Sequence, residues 1–305
     1  MEAGVRNKTW LLAVLALALA GCQQSTKKKI AVIPKGTSHL FWVTVRQGAE
    51  DAGKEFGVDI LWNGPAQETD YGRQLEILDT MINRRVDGIV VAATDKKVLN
   101  QSLARAKREG IPVTVFDSGV DSEDYISFVA TNNYEAGQMG ARKLASLVGE
   151  KGKVAVVMNA PGSASTVERE RGFTDAMAKE FPGIQIVATQ FGMSDRAKAM
   201  SVTENMLTAH ADLNGIFASA EPMSVGASQA VKSRSLAGKV HLVGFDSSEG
   251  LEADMKAGVI DALVVQDPHK IGYEAVKTIV DKLAGKTPSK RLDLGAKVIT
   301  KTDLK

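Results

Sequence analysis

The sequence predicts an α/β protein of two doubly wound lobes, each built on a parallel sheet, with a hinge between them. Short apolar segments rich in β-branched residues, such as "KIAVIP" and "DGIVVAA", are typical of strands buried on both faces. Amphipathic helical segments alternate with these strands, which indicates parallel βαβ units. The alternation restarts near residue 132, so the chain contains two βα series of similar size.

The first series begins at residue 29. Its strands are "KIAVIP", "VDILW", "DGIVVAA", "IPVTVFD" and "YISFVA", and its helices lie near 41–56, 70–85 and 96–109. In the second helix, Leu75, Leu78 and Ile82 recur at helical spacing on one face. Gly57 and Gly110 follow the first and third helices, where glycine is a common stop signal.

The second series repeats this pattern. Its strands are "KVAVVMN", "IQIVATQ", "NGIFAS", "VHLVGFD" and "DALVVQD", and its helices lie near 166–180, 195–210 and 223–235, followed by a last long helix near 269–284. The 305 residues and the 44% apolar content suit two domains with a large core, since a domain has about 150 residues.

The N-terminal residues 1–21 have the form of a signal peptide. Arg6 and Lys8 precede the apolar segment "WLLAVLALALA", which is too short for a comfortable membrane span. The segment ends in "LAGC", which resembles the lipobox of bacterial lipoproteins, and Cys22 is the only cysteine. That resemblance implies cleavage before Cys22 and acylation of its thiol; the alternative is a plain secretory signal with an incidental cysteine. Residues 22–28 are then a polar tether.

The balance of charge and the absence of known catalytic motifs argue against several function classes. With 38 basic and 36 acidic residues, the chain shows no bias toward nucleic acid. It contains no nucleophile elbow, no phosphate-binding loop and no dinucleotide fingerprint. The histidines, at 39, 210, 241 and 269, lack metal-ligand spacing. We therefore expect a protein that is not an enzyme and has no cofactor or metal. We also expect a monomer.

Candidate binding residues follow the strands, because ligands of open parallel sheets lie outside the carboxyl ends of the strands. These positions carry carboxylates, a carboxamide, cations and aromatic rings: Lys35, His39, Phe41, Trp42, Thr94, Asp95, Asp117, Ser163, Ser165, Arg169, Asp246 and Gln266. Carboxylates and carboxamides accept hydrogen bonds from hydroxyls, often two each. Aromatic faces pack against the C–H face of a sugar ring. The set suits a small polyhydroxylated ligand, with Phe41 and Trp42 as a stacking platform; alternatively both rings belong to the core.

At these residues the chain resembles the periplasmic ribose-type monosaccharide-binding proteins that serve ABC transporters. The similarity extends from about residue 29 to 300. The motifs that carry it are "HLFWVTVRQGAEDAGKEFGV", "DGIVVAATD", "IPVTVFDS", "ERERGF", "FASAEPMSVGASQAV", "LVGFDSSE" and "VVQDPHKIGYEAV". Their order and spacing are specific together, although no single motif is decisive.

The resemblance implies a type I periplasmic binding protein-like fold and a set of ligand contacts. It puts Phe41 and Trp42 on sugar-stacking positions, and it puts hydroxyl-binding groups at Asp117, Arg169, Asp246 and Gln266. Each polar residue also has a structural alternative: a turn cap for Asp117, a solvated helix face for Arg169, a helix N-cap for Asp246 and a crossover backbone contact for Gln266.

Three positions depart from the ribose pattern. Ala92 and Ala220 replace asparagines, and His39 stands where asparagine is common. The loss of the two carboxamides at 92 and 220 implies a ligand that is either larger than ribose or less hydroxylated. The segment "AVIPK" is also similar to the binding protein for a furanosyl signalling molecule, which makes Lys35 an additional candidate contact; the alternative is a solvated loop lysine.

The function that follows is capture of a small sugar or sugar-like polyol between the lobes, and its delivery to an ABC permease. The resemblance implies a first lobe of 29–131 plus 267–293 and a second of 132–266 plus 294–305, with crossovers near Thr131-Asn132, Gln266-Asp267 and Asp293. The expected location is the periplasm or the extracellular face, with contact to the membrane only through a lipid anchor. A receptor for a chemotaxis or sensor-kinase system is the alternative. A transcriptional regulator on this scaffold would need a helix-turn-helix where the signal peptide stands.

Overall fold

The computed structural model describes residues 27–304, which form two α/β lobes. Cys22 and the predicted signal peptide lie outside the described residues. Each lobe contains one six-stranded sheet with helices on both faces, so the predicted architecture is confirmed. No helix among residues 27–304 is both long enough and apolar enough to cross a bilayer.

The first sheet is entirely parallel and has the strand order β11-β5-β4-β3-β1-β2. Its strands are β1 Lys29–Ile33, β2 Asp59–Trp62, β3 Gly88–Val91, β4 Val113–Phe116, β5 Ser127–Thr131 and β11 Arg291–Leu294. The helices that cover it are α1 Leu40–Phe56, α2 Tyr71–Asn83, α3 Asn100–Arg108 and α9 Pro268–Leu283. β1, β3 and β4 are buried on both faces, as their continuous apolar sequences predict.

The second sheet has the order β12-β10-β9-β8-β6-β7, and only β12 is antiparallel to its neighbour. Its strands are β6 Gly152–Met158, β7 Ile184–Phe191, β8 Gly215–Ala218, β9 His241–Phe245, β10 Ala262–Val265 and β12 Lys297–Thr300. The helices that cover it are α4 Asn133–Leu147, α5 Ala164–Glu180, α6 Arg196–Ala209, α7 Glu221–Ser233 and α8 Glu249–Lys256.

The chain passes between the two sheets at three places. It leaves the first sheet after Thr131 and begins α4 at Asn133, and it returns between Val265 and Pro268. The third passage lies between Leu294 and Lys297. Asp293, which the sequence analysis places at this crossover, is instead inside β11, where it pairs with Ala130. The difference arises because β11 is a short polar strand whose pairing depends on a distant partner.

Candidate functional site

A cavity lies between the lobes, at the carboxyl ends of both sheets. Nine of the twelve candidate binding residues line this cavity: Lys35, His39, Phe41, Trp42, Asp117, Ser165, Arg169, Asp246 and Gln266. The sequence rule about strand ends explains why residues so distant in the chain meet here. That they contact a ligand stays a prediction.

The two lobes present their aspartates in the same way. Asp117 follows β4 and Asp246 follows β9, and both adopt left-handed backbone conformations, with φ of 54° and 64°. The backbone N–H of Asp117 donates to the carbonyl of Val129 in β5, and that of Asp246 donates to the carbonyl of Val264 in β10. Aspartate tolerates this region better than most residues do, so each strand can turn and direct a carboxylate into the cavity.

Trp42 belongs to the cavity wall and to the core of the first lobe. Its side chain is buried, and its ring meets Phe41 edge-on with a centroid distance of 4.9 Å and Phe116 at 6.1 Å. Its Nε1–H donates to Glu68 Oε1 at 2.7 Å. The stacking and core interpretations of Trp42 are therefore compatible, since the ring contributes to both environments; stacking on a sugar remains a prediction.

Lys35 is buried at the junction of the lobes. Its Nζ lies 3.2 Å from both Ser163 Oγ and Ser165 Oγ of the second lobe. It also forms ion pairs with Glu68 at 3.6 Å and Asp117 at 3.5 Å in the first lobe. Burial opposes the charge of Lys35, but these two carboxylates outweigh it and raise the pKa of the lysine. The alternative of a solvated loop lysine is therefore wrong.

Glu68 connects Lys35 with the start of α1. Its Oε1 lies 3.2 Å from His39 Nδ1. Burial alone would raise the pKa of Glu68, but Lys35, His39 and the indole N–H of Trp42 hold it well below its usual range. Burial alone would lower the pKa of His39, yet the bond with Glu68 raises it. Lys35 and His39 thus share one ionised carboxylate, which also accepts from the indole N–H of Trp42.

Arg169 is 2% exposed and extends from α5 across the carboxyl end of the second sheet. Its Nε and one terminal nitrogen donate to Asn133 Oδ1, and its other terminal nitrogen donates to the carbonyl of Ser219. The guanidinium lies 3.3 Å above the centroid of the Phe245 ring. Burial lowers its pKa against the opposing effect of nearby acids, Asp246 first among them. The solvated-helix alternative for Arg169 is therefore wrong.

Asp246 and Gln266 form a pair beside the start of α7. Gln266 Nε2 donates to Asp246 Oδ1 at 2.8 Å, and the backbone N–H of Glu221 donates to Asp246 Oδ2 at 3.2 Å. Burial raises the pKa of Asp246, although Arg169 opposes this shift. The N-cap of α8 is Ser248, whose side chain accepts from Leu251 N–H, so Asp246 does not cap that helix.

Three buried oxygens of cavity-lining residues have no hydrogen-bond donor among residues 27–304: Asn159 Oδ1, Glu221 Oε2 and Gln266 Oε1. A fourth, Asp117 Oδ2, has only the ion pair with Lys35 at 3.5 Å. A buried acceptor without a donor is costly, at about 1–3 kcal/mol each. The cavity therefore favours a ligand that brings several O–H or N–H donors.

Sequence reasoning missed Glu68, Asn159 and Glu221, which also line the cavity. Asn159 directly follows β6 and so meets the strand-end rule. Glu221 follows Ala220 at the start of α7, whereas Glu68 lies in the loop between β2 and α2 and carries no local signal.

Thr94, Asp95 and Ser163, three further strand-end candidates, do not line the cavity. Thr94 bonds with Gln74, and Asp95 accepts from the backbone of Lys97. Ala92 is buried away from the cavity, and its carbonyl accepts from Gln74, whereas Ala220 lines the cavity. No group of metal-ligating side chains suited to an ion occurs among residues 27–304.

Comparisons with known proteins agree with this geometry. Residues 30–287 match the model of the periplasmic binding protein domain family. The D-allose-binding periplasmic protein of Escherichia coli is 32% identical over 259 residues, which cover 82% of this chain and 83% of that protein. The ribose import binding protein of Bacillus subtilis is 29% identical over 261 residues, which cover 85% and 83%.

Solved structures show the same likeness. A carbohydrate transporter solute-binding protein of Agrobacterium radiobacter, in complex with D-arabinose, has a TM-score of 0.88 at 32% identity, with 91% of this chain and 96% of that one covered. An ABC transporter solute-binding protein of Agrobacterium vitis with bound D-fucose has a TM-score of 0.87 at 35% identity, with 90% and 96% covered. The chain therefore belongs to the family of ribose-type monosaccharide-binding periplasmic proteins.

Proposed function

We propose that this protein binds one neutral monosaccharide in the cavity between its lobes and delivers it to an ABC permease. The observation that carries this proposal is the set of three oxygens without a hydrogen-bond donor, those of Asn159, Glu221 and Gln266, around one interlobe cavity. Sugar hydroxyls would supply the missing donors. Relatives with this architecture are solute-binding proteins with bound D-arabinose or D-fucose.

The charges around the cavity support a ligand without net charge. Cationic Lys35 and Arg169 face the carboxylates of Glu68, Asp117 and Asp246, and Glu68 raises the pKa of the adjacent His39. Glu221 has its own partner in Arg196, at 2.6 Å. A charged ligand would disturb this balance inside a region of low dielectric, where an unpaired charge is costly.

Binding would favour closure of the lobes, because the cavity residues come from both. Phe41, Trp42 and Asp117 belong to the first lobe, and Arg169 and Asp246 belong to the second. We propose a first lobe of 29–131 with 267–294 and a second of 132–266 with 295–305, because Leu294 belongs to β11 of the first sheet. A ligand that contacts both lobes stabilises the closed state by its differential affinity, and release would follow reopening on the permease.

We further propose that the protein is a lipoprotein, monomeric and anchored through Cys22 at the periplasmic or extracellular face. The support is the "LAGC" sequence after an apolar segment. Cys22→Ser should abolish incorporation of labelled palmitate, because the acylated thiol is removed. Equal labelling of the variant and the wild type would contradict the anchor without touching the sugar proposal.

A thermal-melting screen against neutral monosaccharides tests the binding function. A ligand at 100 times its dissociation constant adds about 2.7 kcal/mol to the stability of the state that binds it, so the cognate sugar should raise the melting temperature measurably. The panel should include D-allose, D-ribose, D-arabinose and D-fucose, with glucuronate and glucosamine as charged controls. No shift with any neutral sugar, or shifts only with the charged sugars, would overturn the proposal.

A further inference from the structure

Asn159 is a cavity residue with one hydrogen-bonding oxygen left free. It directly follows β6 and is 1% exposed. Its backbone N–H donates to Glu170 Oε1 at 2.8 Å, so the position of its main chain is fixed. Its side-chain Oδ1 has no donor in the protein. The main chain of Asn159 is therefore held in place while its side-chain acceptor stays unused.

Ala220 lies at the matching position on the neighbouring strand. β6 and β8 are parallel neighbours in which Val157 pairs with Ala218, so continuing this register places residue 159 beside residue 220. Ser219 Oγ donates to the same Glu170 oxygen that receives Asn159 N–H, which ties the two strand ends together. The cavity wall here combines the carboxamide of Asn159 with the methyl group of Ala220.

We propose that Asn159 is a ligand-contacting residue that determines which sugar this protein accepts, with Ala220 as its apolar counterpart. Asn159 Oδ1 accepts one ring hydroxyl, and the methyl group of Ala220 faces carbon of the same sugar. The ligand class is a neutral aldose that presents a hydroxyl group to Asn159 and a C–H or hydroxymethyl carbon to Ala220. This inference rests on the proposed function.

The adjacent side chain at 220 sets the size of the sugar that fits. A longer polar side chain there would occupy space that alanine leaves open beside Asn159. D-Allopyranose and D-ribopyranose differ by one hydroxymethyl group, so this pair reports on that space. Wild-type protein should bind D-allose more tightly than D-ribose, and Ala220→Asn should reduce or reverse that preference.

The decisive experiment is a cycle that combines a protein variant with monodeoxy sugars, measured by calorimetry. Asn159→Ala should weaken binding of the cognate sugar about tenfold or more, the effect of leaving one buried hydroxyl unpaired. For one monodeoxy analogue, wild type and Asn159→Ala should bind equally, because the shared hydrogen bond is already absent. Asn159→Leu, which is similar in shape, replaces the alanine variant if that protein does not fold.

Asn100→Ala is the matched control, since its carboxamide oxygen is likewise buried without a donor but its residue lies on α3, away from the cavity. Its affinity should equal that of wild type. If wild type binds a sugar and every folded Asn159 variant binds it equally, the assignment of Asn159 is overturned while the sugar-binding proposal stands. An allose preference unaffected by Ala220→Asn overturns the role of Ala220. If wild type binds no monosaccharide, the proposed function itself fails.

Discussion

Glu170 is the residue whose protonation is most informative about the site. It lies beneath the cavity wall, where it accepts from Asn159 N–H and Ser219 Oγ–H. Burial raises its pKa to about 7, against the opposing effect of these bonds and of Arg169 and Lys35. The carboxyl group therefore gains its charge within the physiological range of pH.

This shift predicts how stability depends on pH. The pKa is about 7 in the folded protein and has a usual value of 4.5, so the folded state binds the proton more tightly than the unfolded chain. The contribution of Glu170 to stability is full below pH 4.5 and is lost as pH rises to about 7, by about 3 kcal/mol at most. Glu170→Gln removes this titration.

Chemical denaturation at several pH values measures the effect. The unfolding free energy of wild type should fall relative to that of Glu170→Gln between about pH 4.5 and 7, and the two curves should run parallel above pH 7. Taking the difference cancels other titrating groups that the two proteins share. A difference that is constant across the whole range would contradict the raised pKa of Glu170.

The polar residues of the site differ in how readily the sequence predicts them. Asp117, Asp246 and Gln266 directly follow apolar strands, so the strand-end rule finds them. Asn159 obeys the same rule, but it is the last residue of the segment "VAVVMN", so the sequence pattern assigns it to the strand itself. Glu68 reaches the cavity only because its loop folds over α1, and no local pattern encodes that contact.

At the scale of elements, both lobes contain helices that pack closely through glycines. In the first lobe, a Cβ at Gly48 of α1 would lie 1.9 Å from the carbonyl oxygen of His269 in α9. In the second lobe, a Cβ at Gly137 of α4 would lie 1.9 Å from the carbonyl oxygen of Arg169 in α5. The second contact also fixes the helix that carries Arg169, so close helix packing supports the site.

Gly48→Ala should destabilise the protein because α1 and α9 must move apart to accept the methyl group. Overpacking of this kind typically costs about 1–3 kcal/mol. Gly72→Ala in α2 is the matched control, since its Cβ would meet nothing within 4 Å and alanine favours the helix by about 1 kcal/mol. Urea denaturation distinguishes them; equal stability of the two variants would show that the α1–α9 contact is not tight.

Some elements were not predicted, for identifiable reasons. The segment of α4, "NYEAGQMGARKLASL", contains Gly137 and Gly140, which interrupt its apolar stripe. β11 and β12 have four residues each, and β11, "RLDL", alternates charged with apolar residues at a sheet edge. Short edge strands depend on a partner from elsewhere in the chain, which single-sequence periodicity does not reveal.

At the scale of the whole molecule, the two-lobe organisation can be predicted from the sequence because each lobe repeats the alternation of buried strands and helices. The third crossover cannot be predicted in this way, because it lies between β11 and β12, two strands that the sequence pattern does not predict. The two sheets direct their carboxyl ends toward one cavity, so a ligand there touches groups from both lobes. Closure and binding are thereby coupled through the same contacts.

The most direct test of the central claim is a calorimetric titration with the sugar selected by the melting screen. Wild type should bind one sugar per chain. Asp117→Ala in the first lobe and Arg169→Ala in the second should each weaken binding at least tenfold, since hydrogen bonds to charged groups contribute about 1.5–3 kcal/mol. Arg171→Ala, which removes an exposed neighbour on the same helix, should leave the affinity unchanged. The account would be contradicted if wild type bound no sugar, or if folded Asp117→Ala or Arg169→Ala bound the sugar with unchanged affinity, because a monosaccharide held between the lobes must contact both.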